Sequence, residues 1–263
     1  MEFNRQLDKA KVKGSFAQAA TTYDSVADLQ RRVGQGLLTQ IIQHDLAGVV
    51  LDIGCGTGFL TAQLTQIAKI EQVIGLDIAL PMLQATQQKC KTESLLLLCA
   101  DAERLPFAAQ TVNHIVSNVA LQWCENLTNV FADFKRVLKP EGQLLFSTFG
   151  EHTLQELKTA WEKVDSYTHV NDFYNEKEIV DFLQQAGFKQ IAVQSHRYLS
   201  QYESVFSLMH ELKAIGAHNV SSGRRKSMTG KAKLEKMIAE YEVLCSDDLI
   251  PATFEAITVS ARV

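Results

Sequence analysis

The chain has 263 residues, 46% apolar and 21% charged, which fits one large or two small ordered domains and excludes a disordered chain or a coiled coil. Its formal charge of −4 excludes a general nucleic-acid binder. No apolar run is long enough for a transmembrane helix, and residues 1–16 (MEFNRQLDKAKVKGSF) lack the apolar core of a signal peptide, so a cytoplasmic protein without membrane attachment is expected. Five cysteines, Cys55, Cys90, Cys99, Cys124 and Cys245, contain no C-x-x-C pair. They argue against a disulfide framework or a zinc site and suit a reducing compartment.

Residues 1–47 read as an N-terminal helical cap, with Val33, Leu37, Leu38, Ile41 and Ile42 on one stripe. Residues 48–263 form the main domain, where strands alternate with helices. Val49 to Ile53 is a short apolar run closed by glycines, hence a buried strand, and 57–69 reads as a helix. Gln72 to Asp77 is a second strand, and Pro81 sits in the first turn of the next helix. Leu95 to Cys99 and Val112 to Ser117 are the third and fourth strands. Leu127, Val130, Phe131, Phe134, Val137 and Leu138 recur at helical spacing until Pro140 and Gly142, and Gln143 to Phe149 is the fifth strand. Asn175 with Glu178 opens another helix that Gly187 ends. Gln190 to Tyr198 and Thr253 to Val263 read as late strands. The pattern predicts an α/β fold with a mostly parallel sheet covered on both faces. Helical insertions at about 151–170 (Leu154, Leu157, Trp161, Val164) and 202–248 (Val205, Leu208, Met209, Leu212, then Leu234, Met237, Ile238, Tyr241) break the rhythm. Ligands in such sheets bind beyond the carboxyl ends of the strands, where these insertions can form a lid.

The sharpest motif is Val-Leu-Asp52-Ile-Gly54-Cys55-Gly56-Thr-Gly58, where the first strand gives way to a helix. Glycines there permit positive φ and a close ligand approach, and a helix start adds free N–H groups. The spacing is G-x-G-x-G; a dinucleotide fingerprint would put its third glycine at position 59, which is Phe59. The alternative is a tight turn without a ligand. Asp77 ends the second strand, where a carboxylate can accept from two vicinal ribose hydroxyls or stand as a solvated strand-end acid. Asp101 follows the third strand and can accept from a purine amine or cap a helix. Asn118 ends the fourth strand. Four consecutive strand ends thus carry polar groups suited to one nucleoside.

The segments LDIGCGTG, GLD, CADAERLPF and SNVALQW resemble the class I S-adenosylmethionine-dependent methyltransferases over about residues 48–150. The resemblance implies a Rossmann-like, seven-stranded sheet whose last strand is antiparallel. It implies that the Asp52–Gly58 loop, with Asp52, Gly54, Cys55 and Gly56, holds the methionine part of S-adenosylmethionine. Asp77 would hold the ribose, Asp101 with Ala102 the adenine, Asn118 would lie near the methionine amino group, and Ile78 would also contact the cofactor. An ordered set of segments resembles a narrower family over nearly the whole chain, the malonyl-acyl-carrier-protein O-methyltransferases of biotin synthesis. These are FAQAATTYDSVADLQRRVGQGLL at 16–38, NVALQWCENL at 118–127, FSTFGEHTLQELKTAW at 146–161 and LKAIGAHN at 212–219. That resemblance implies a malonyl group thioesterified to acyl carrier protein, or to coenzyme A, as the substrate and its methyl ester as the product.

A malonyl carboxylate is already ionised at neutral pH, so no general base is needed and no catalytic residue beyond positioning groups is expected. Substrate-side candidates are Tyr23, which could close over the cofactor, Gln122 and Trp123 at the site mouth, and His152 after the fifth strand. Each has a plainer reading, as a packing residue for Trp123 and a surface or capping residue for His152. The histidines show no metal-ligand spacing, so no metal is expected. Seven basic residues, Lys213, Arg224, Arg225, Lys226, Lys231, Lys233 and Lys236, face one acid, Glu235, in an otherwise acidic chain. They suggest docking of acidic acyl carrier protein, with a solvated face as the alternative; aromatics do not interleave them as RNA stacking would require. Two other functions remain open on these residues: a different small-molecule C- or O-methyltransferase, and an S-adenosylmethionine-binding protein without turnover.

Overall fold

The computed structural model describes residues 7–217, 230–244 and 249–263. Its centre is a seven-stranded sheet of β1 (Gly48–Ile53), β2 (Ile70–Asp77), β3 (Leu95–Cys99), β4 (Val112–Asn118), β5 (Leu138–Phe149), β6 (Lys189–Tyr202) and β7 (Ile250–Arg262). The order is β3-β2-β1-β4-β5-β7-β6. Strands β1 to β5 pair in parallel, and β7 runs antiparallel to both β5 and β6. This is the α/β sheet that the motifs predict, with its antiparallel last strand.

The central strands read as apolar runs because both of their faces are covered. Alternation sends Val50 to one side and Leu51 and Ile53 to the other, and all three are fully buried. Helix α6 (Leu127–Val137) packs Val130, Phe131, Phe134 and Val137 into the cluster that holds Leu51. Helices α3 (Asp28–Gln43) and α4 (Phe59–Leu64) pack Leu37, Ile41, Leu60 and Leu64 around Val50. Ile42 falls off that stripe and is 63% exposed.

Three boundaries differ from the sequence reading. The helix expected over 57–69 is only α4, because short turns carry the chain from its end directly to β2: the Ile67 N–H donates to Leu64 O and the Ile70 N–H to Ile67 O. Strand β5 begins at Leu138 rather than Gln143, since Leu138 already pairs with Val112 before Glu141 (φ +62°) and Gly142 interrupt the ladder. The late strands reach further, pairing from Lys189 with Arg262 to Tyr202 with Ile250.

The remaining helices sit at the edges of this frame. Helices α1 (Lys9–Ala19) and α2 (Tyr23–Val26) precede α3, and α5 (Leu80–Lys89) follows β2. Helix α7 (Gln155–Glu162) follows β5, α8 (Glu176–Gln185) precedes β6, and α9 (Val205–Ala214) and α10 (Lys231–Glu242) lie between β6 and β7. Asn175 and Glu178 form a reciprocal capping box at the start of α8, as their spacing predicts. Leu157, Trp161, Leu208, Met237 and Tyr241 from α7, α9 and α10 join Phe254 of β7 in a second apolar core. Among the described residues no helix is long and apolar enough to cross a membrane.

Candidate active site

The carboxyl ends of β1, β2, β3 and β4 open into one cavity of about 690 Å³, part of it open to solvent. Gly54 and Gly56, Asp77 with Ile78, Asp101 with Ala102, and Asn118 all line it. The N-terminal cap supplies its other wall through Lys9, Val12, Phe16 and Tyr23.

The glycine loop is strapped to β2. The Gly54 and Cys55 N–H groups donate to Leu76 O at 2.7 and 3.0 Å, and the Gly56 N–H donates to Asp77 Oδ2 at 3.0 Å. Gly54 has φ +67°, and a Cβ there would lie 2.3 Å from Ala120 Cβ. Gly56 has φ +57°, and a Cβ there would enter open space. The first glycine is required by packing, the second leaves room for a ligand.

Asp77 is 8% exposed, and its Oδ1 accepts from the Ala79 N–H at 2.8 Å. Burial pushes its carboxyl up, opposed by the Ala79, Gly56 and Ile78 N–H groups. A carboxylate has about four acceptor positions, so capacity remains for vicinal hydroxyls. Asp101 Oδ1 accepts from the Glu103 N–H at 3.0 Å and from Lys9 Nζ at 3.3 Å. Lys9 also pairs with Glu103 at 2.6 Å and so fastens α1 over this end of the cavity. Asn118 donates from Nδ2 to Gln30 O at 3.0 Å and accepts from Ser147 Oγ at 2.7 Å, which fixes its amide. Helix α3 approaches Asn118 closely at Gly34, where a Cβ would lie 2.9 Å from Asn118 Nδ2. Val119 lines the cavity at φ +43°, rare for a β-branched residue and a local strain held by the Ser147 contacts of its N–H.

Asp52 and Cys55 do not line this cavity. They line a smaller adjoining recess, to which Tyr23, Gly54, Gly56 and Asn118 also contribute. Asp52 is fully enclosed and accepts from Thr61 Oγ1 at 2.6 Å. Burial lifts its carboxyl to about 7, the Thr61 bond opposes that, and the Asp77 charge adds to it. Burial likewise pushes the Cys55 thiol up, and an added Cβ at Gly75 would lie 3.2 Å from its Sγ, so Cys55 is packing rather than a nucleophile. Burial and the charges of Asp77 and Asp24 push the Tyr23 phenol up, keeping it neutral. Asp24 beside it accepts from Thr57 Oγ1 at 2.6 Å and pairs with Lys89, tying α2 to the glycine loop.

A raised acid pKa gives a signed expectation. The folded chain keeps a proton on Asp52 that the unfolded chain releases between about pH 4 and 7. Stability from this group therefore falls as pH rises through that window. Asp52→Asn keeps an acceptor for Thr61 without the buried charge. The ligand-free variant should melt higher than the wild type at pH 8, by a margin that shrinks toward pH 5; an equal margin at both would contradict the assignment.

Trp123 joins the first cavity to a second chamber of about 560 Å³. Its walls come from Gln122, from Phe149 at the end of β5, from Leu157 of α7, from Phe173 and from Leu212 of α9. Trp123 packs edge-on against Phe16 at 5.4 Å between ring centres. Gln122 is buried and donates from Nε2 to Val119 O at 2.6 Å, so it supports the loop after β4. His152 lines neither chamber; its backbone N–H donates to Glu255 Oε2 at 3.0 Å. Lys213 is exposed, while Arg224, Arg225 and Lys226 lie outside the described residues. Lys9 and His169 were not singled out from the sequence: neither stands in a motif, and only the tertiary fold brings them to the chambers.

Residues 51–146 match the model of a methyltransferase domain. The chain is 41% identical to a malonyl-[acyl-carrier protein] O-methyltransferase of Methylovorus sp. strain MP688, over 95% of this chain and 88% of the relative. It is 43% identical to the biotin biosynthesis bifunctional protein BioHC of Cellvibrio japonicus, over 95% of this chain and 49% of that longer protein. Among solved structures, the YcgJ protein of Bacillus subtilis superposes with a TM-score of 0.60 at 16% identity, covering 87% of this chain and 98% of that one, a likeness of fold. With four strand ends converging on one cavity and likeness along nearly its whole length, the chain belongs to the malonyl-[acyl-carrier protein] O-methyltransferase family.

Proposed function

We propose that the chain transfers the methyl group of S-adenosylmethionine to the free carboxylate of a malonyl thioester, giving the methyl ester. The carrying observation is the first cavity, where an open position at Gly56, a strand-end carboxylate at Asp77 and a fixed amide at Asn118 meet. These groups fit the cofactor. Asp77 would accept from the ribose hydroxyls, Asp101 and Ala102 would meet the adenine, Ile78 would pack against it, and Gly54 and Asn118 would border the methionine end. When bound, S-adenosylmethionine supplies an electrophilic methyl group on a sulfonium. The buried carboxylate of Asp77, which lines the cavity, favours that positive charge.

The protein's work is positioning and exclusion of water. The substrate carboxylate is ionised well below neutral pH, so no side chain has to take a proton. One carboxylate oxygen forms the new C–O bond as the methyl leaves sulfur, and opposite charges neutralise each other. A dry site favours such a step, and the aromatic rings of Tyr23, Phe16 and Trp123 line the first cavity, with Trp123 also lining the second chamber. The rate of ester formation should not rise between about pH 6 and 8. A steep rise there would instead indicate a hydroxyl, amine or carbon nucleophile that needs a base.

The substrate named for the Methylovorus relative is a malonyl acyl carrier protein, and the basic stretch from Lys213 to Lys236 suits an acidic carrier. Within it Lys233 pairs with Asp165 at 2.9 Å and Lys231 with Glu235, Lys213 is exposed, and Arg224, Arg225 and Lys226 lie outside the described residues. Reversing Arg224, Arg225 and Lys226 to glutamate should lower kcat/KM for malonyl-carrier protein at low salt and leave a malonyl-pantetheine substrate nearly unchanged. Equal loss on both substrates would remove the docking role.

A further inference from the structure

The second chamber is apolar except for a few groups, and most of these are already engaged. Gln122 bonds Val119 O and accepts from Thr148 Oγ1, while the Thr153 hydroxyl donates to Glu255 O at 3.2 Å and accepts from its N–H. The Gln30 amide offers a neutral dipole. Among the described residues lining the chamber, His169 is the one side chain able to carry a charge.

His169 is held on two sides. Its Nε2 lies 2.8 Å from Asp165 Oδ1, and its ring stacks on Trp161 with 3.6 Å between centres and 5° between planes. Asp165 also accepts from Lys233 Nζ at 2.9 Å and from the Tyr167 N–H at 3.2 Å. The side chains of His169 and Asp165 are 12% and 8% exposed. With Nε2 donating to Asp165, the other ring nitrogen, Nδ1, has no hydrogen-bond partner among the described residues. Asp165 thus holds one edge of the ring and the Trp161 indole one face, which leaves the Nδ1 edge for a ligand.

We propose that this chamber is a carboxylate site, in which the His169 imidazolium donates from Nδ1 to the terminal carboxylate of the acyl thioester. The proposal rests on the reading of the chain as a carboxyl methyltransferase. A carboxylate entering an apolar chamber needs a charged donor to offset the water it leaves. His169 holds one oxygen and leaves the other to attack, and its proton stays in place throughout. The product ester carries no charge, so it loses the charge-assisted bond and is released more readily. Lys233 of α10 reaches the same Asp165 and so couples the lid helix to the grip.

The test is calorimetry of malonyl-pantetheine and of its methyl ester, each titrated into full-length protein saturated with S-adenosylhomocysteine, so that nothing turns over. The wild type should prefer the free acid by about tenfold to a hundredfold. In His169→Gln the two affinities should become nearly equal, through loss on the acid alone, with S-adenosylhomocysteine binding unchanged. Asp165→Asn, which removes the carboxylate beside Nε2 without altering the chamber wall, should lose part of the preference and serves if the first variant does not fold. An undiminished preference in the folded variants, or equal weakening of acid and ester, would overturn the proposal. Failure of the wild type to form any methyl ester from malonyl-pantetheine would instead overturn the reading beneath it.

Discussion

Asp77→Ala should weaken S-adenosylmethionine binding about tenfold to a hundredfold while the chain stays folded. On the proposed role of Asp77, the lost interaction is a charge-assisted acceptor for two hydroxyls, a contribution of about 1.5–3 kcal/mol. Asp77 also shapes the site before any ligand arrives, because its two oxygens hold the Gly56 and Ala79 N–H groups. Without them the loop relaxes, and ligand binding has to restore its order. Removing the carboxylate also removes one of the influences that raise Asp52. Asp77→Asn separates these effects, since it keeps an acceptor but not the charge, and should fall between wild type and alanine. Calorimetry on variants shown to fold by circular dichroism decides the matter; wild-type affinity in Asp77→Ala would remove that residue from the site.

Gly54→Ala should be the more damaging change to the fold. At φ +67° an L-residue costs about 1–2 kcal/mol. The added methyl would lie 2.3 Å from Ala120 Cβ, and overpacking of that kind adds about 1–3 kcal/mol. Ala120 cannot retreat freely, because Val119 before it is already at φ +43° with its N–H held by Ser147. Denaturant unfolding should show a loss of about 2–5 kcal/mol, and cofactor binding should fail. Gly56→Ala is the matched control. Its methyl enters open space, so the ligand-free protein should lose only the backbone strain, while cofactor binding falls as steeply. Equal destabilisation by the two alanines would contradict the distinct roles assigned to these glycines.

Much of this site is legible in the sequence, because strand ends in a parallel sheet are fixed by topology. Once 49–53, 72–77, 95–99 and 112–117 read as parallel strands, Gly54, Asp77, Asp101 and Asn118 have to share one edge. The capping box at Asn175 is similarly local, set by a residue and its third neighbour. What escaped depends on contacts between segments far apart in the chain. Lys9 reaches Asp101 and Glu103 only because α1 folds back to the loop after β3. The grouping of Trp161, Asp165 and His169 has helix-like spacing, yet α7 ends at Glu162 and nothing in the spacing shows the ring turning into a cavity. Asp52 belongs to the most telling motif, but it accepts from Thr61 of α4 and lines a separate recess together with Tyr23, contacts that the motif's spacing does not show.

The central claim is that the acceptor is a carboxylate. It is tested most directly by incubating the purified chain with methyl-labelled S-adenosylmethionine and malonyl-acyl carrier protein, weighing the intact carrier, and then assaying the labelled methanol that mild alkali releases. The account predicts a gain of one methyl group that mild alkali removes as methanol, as an ester requires. No gain, or a methyl group that survives the treatment on carbon or nitrogen, would contradict it.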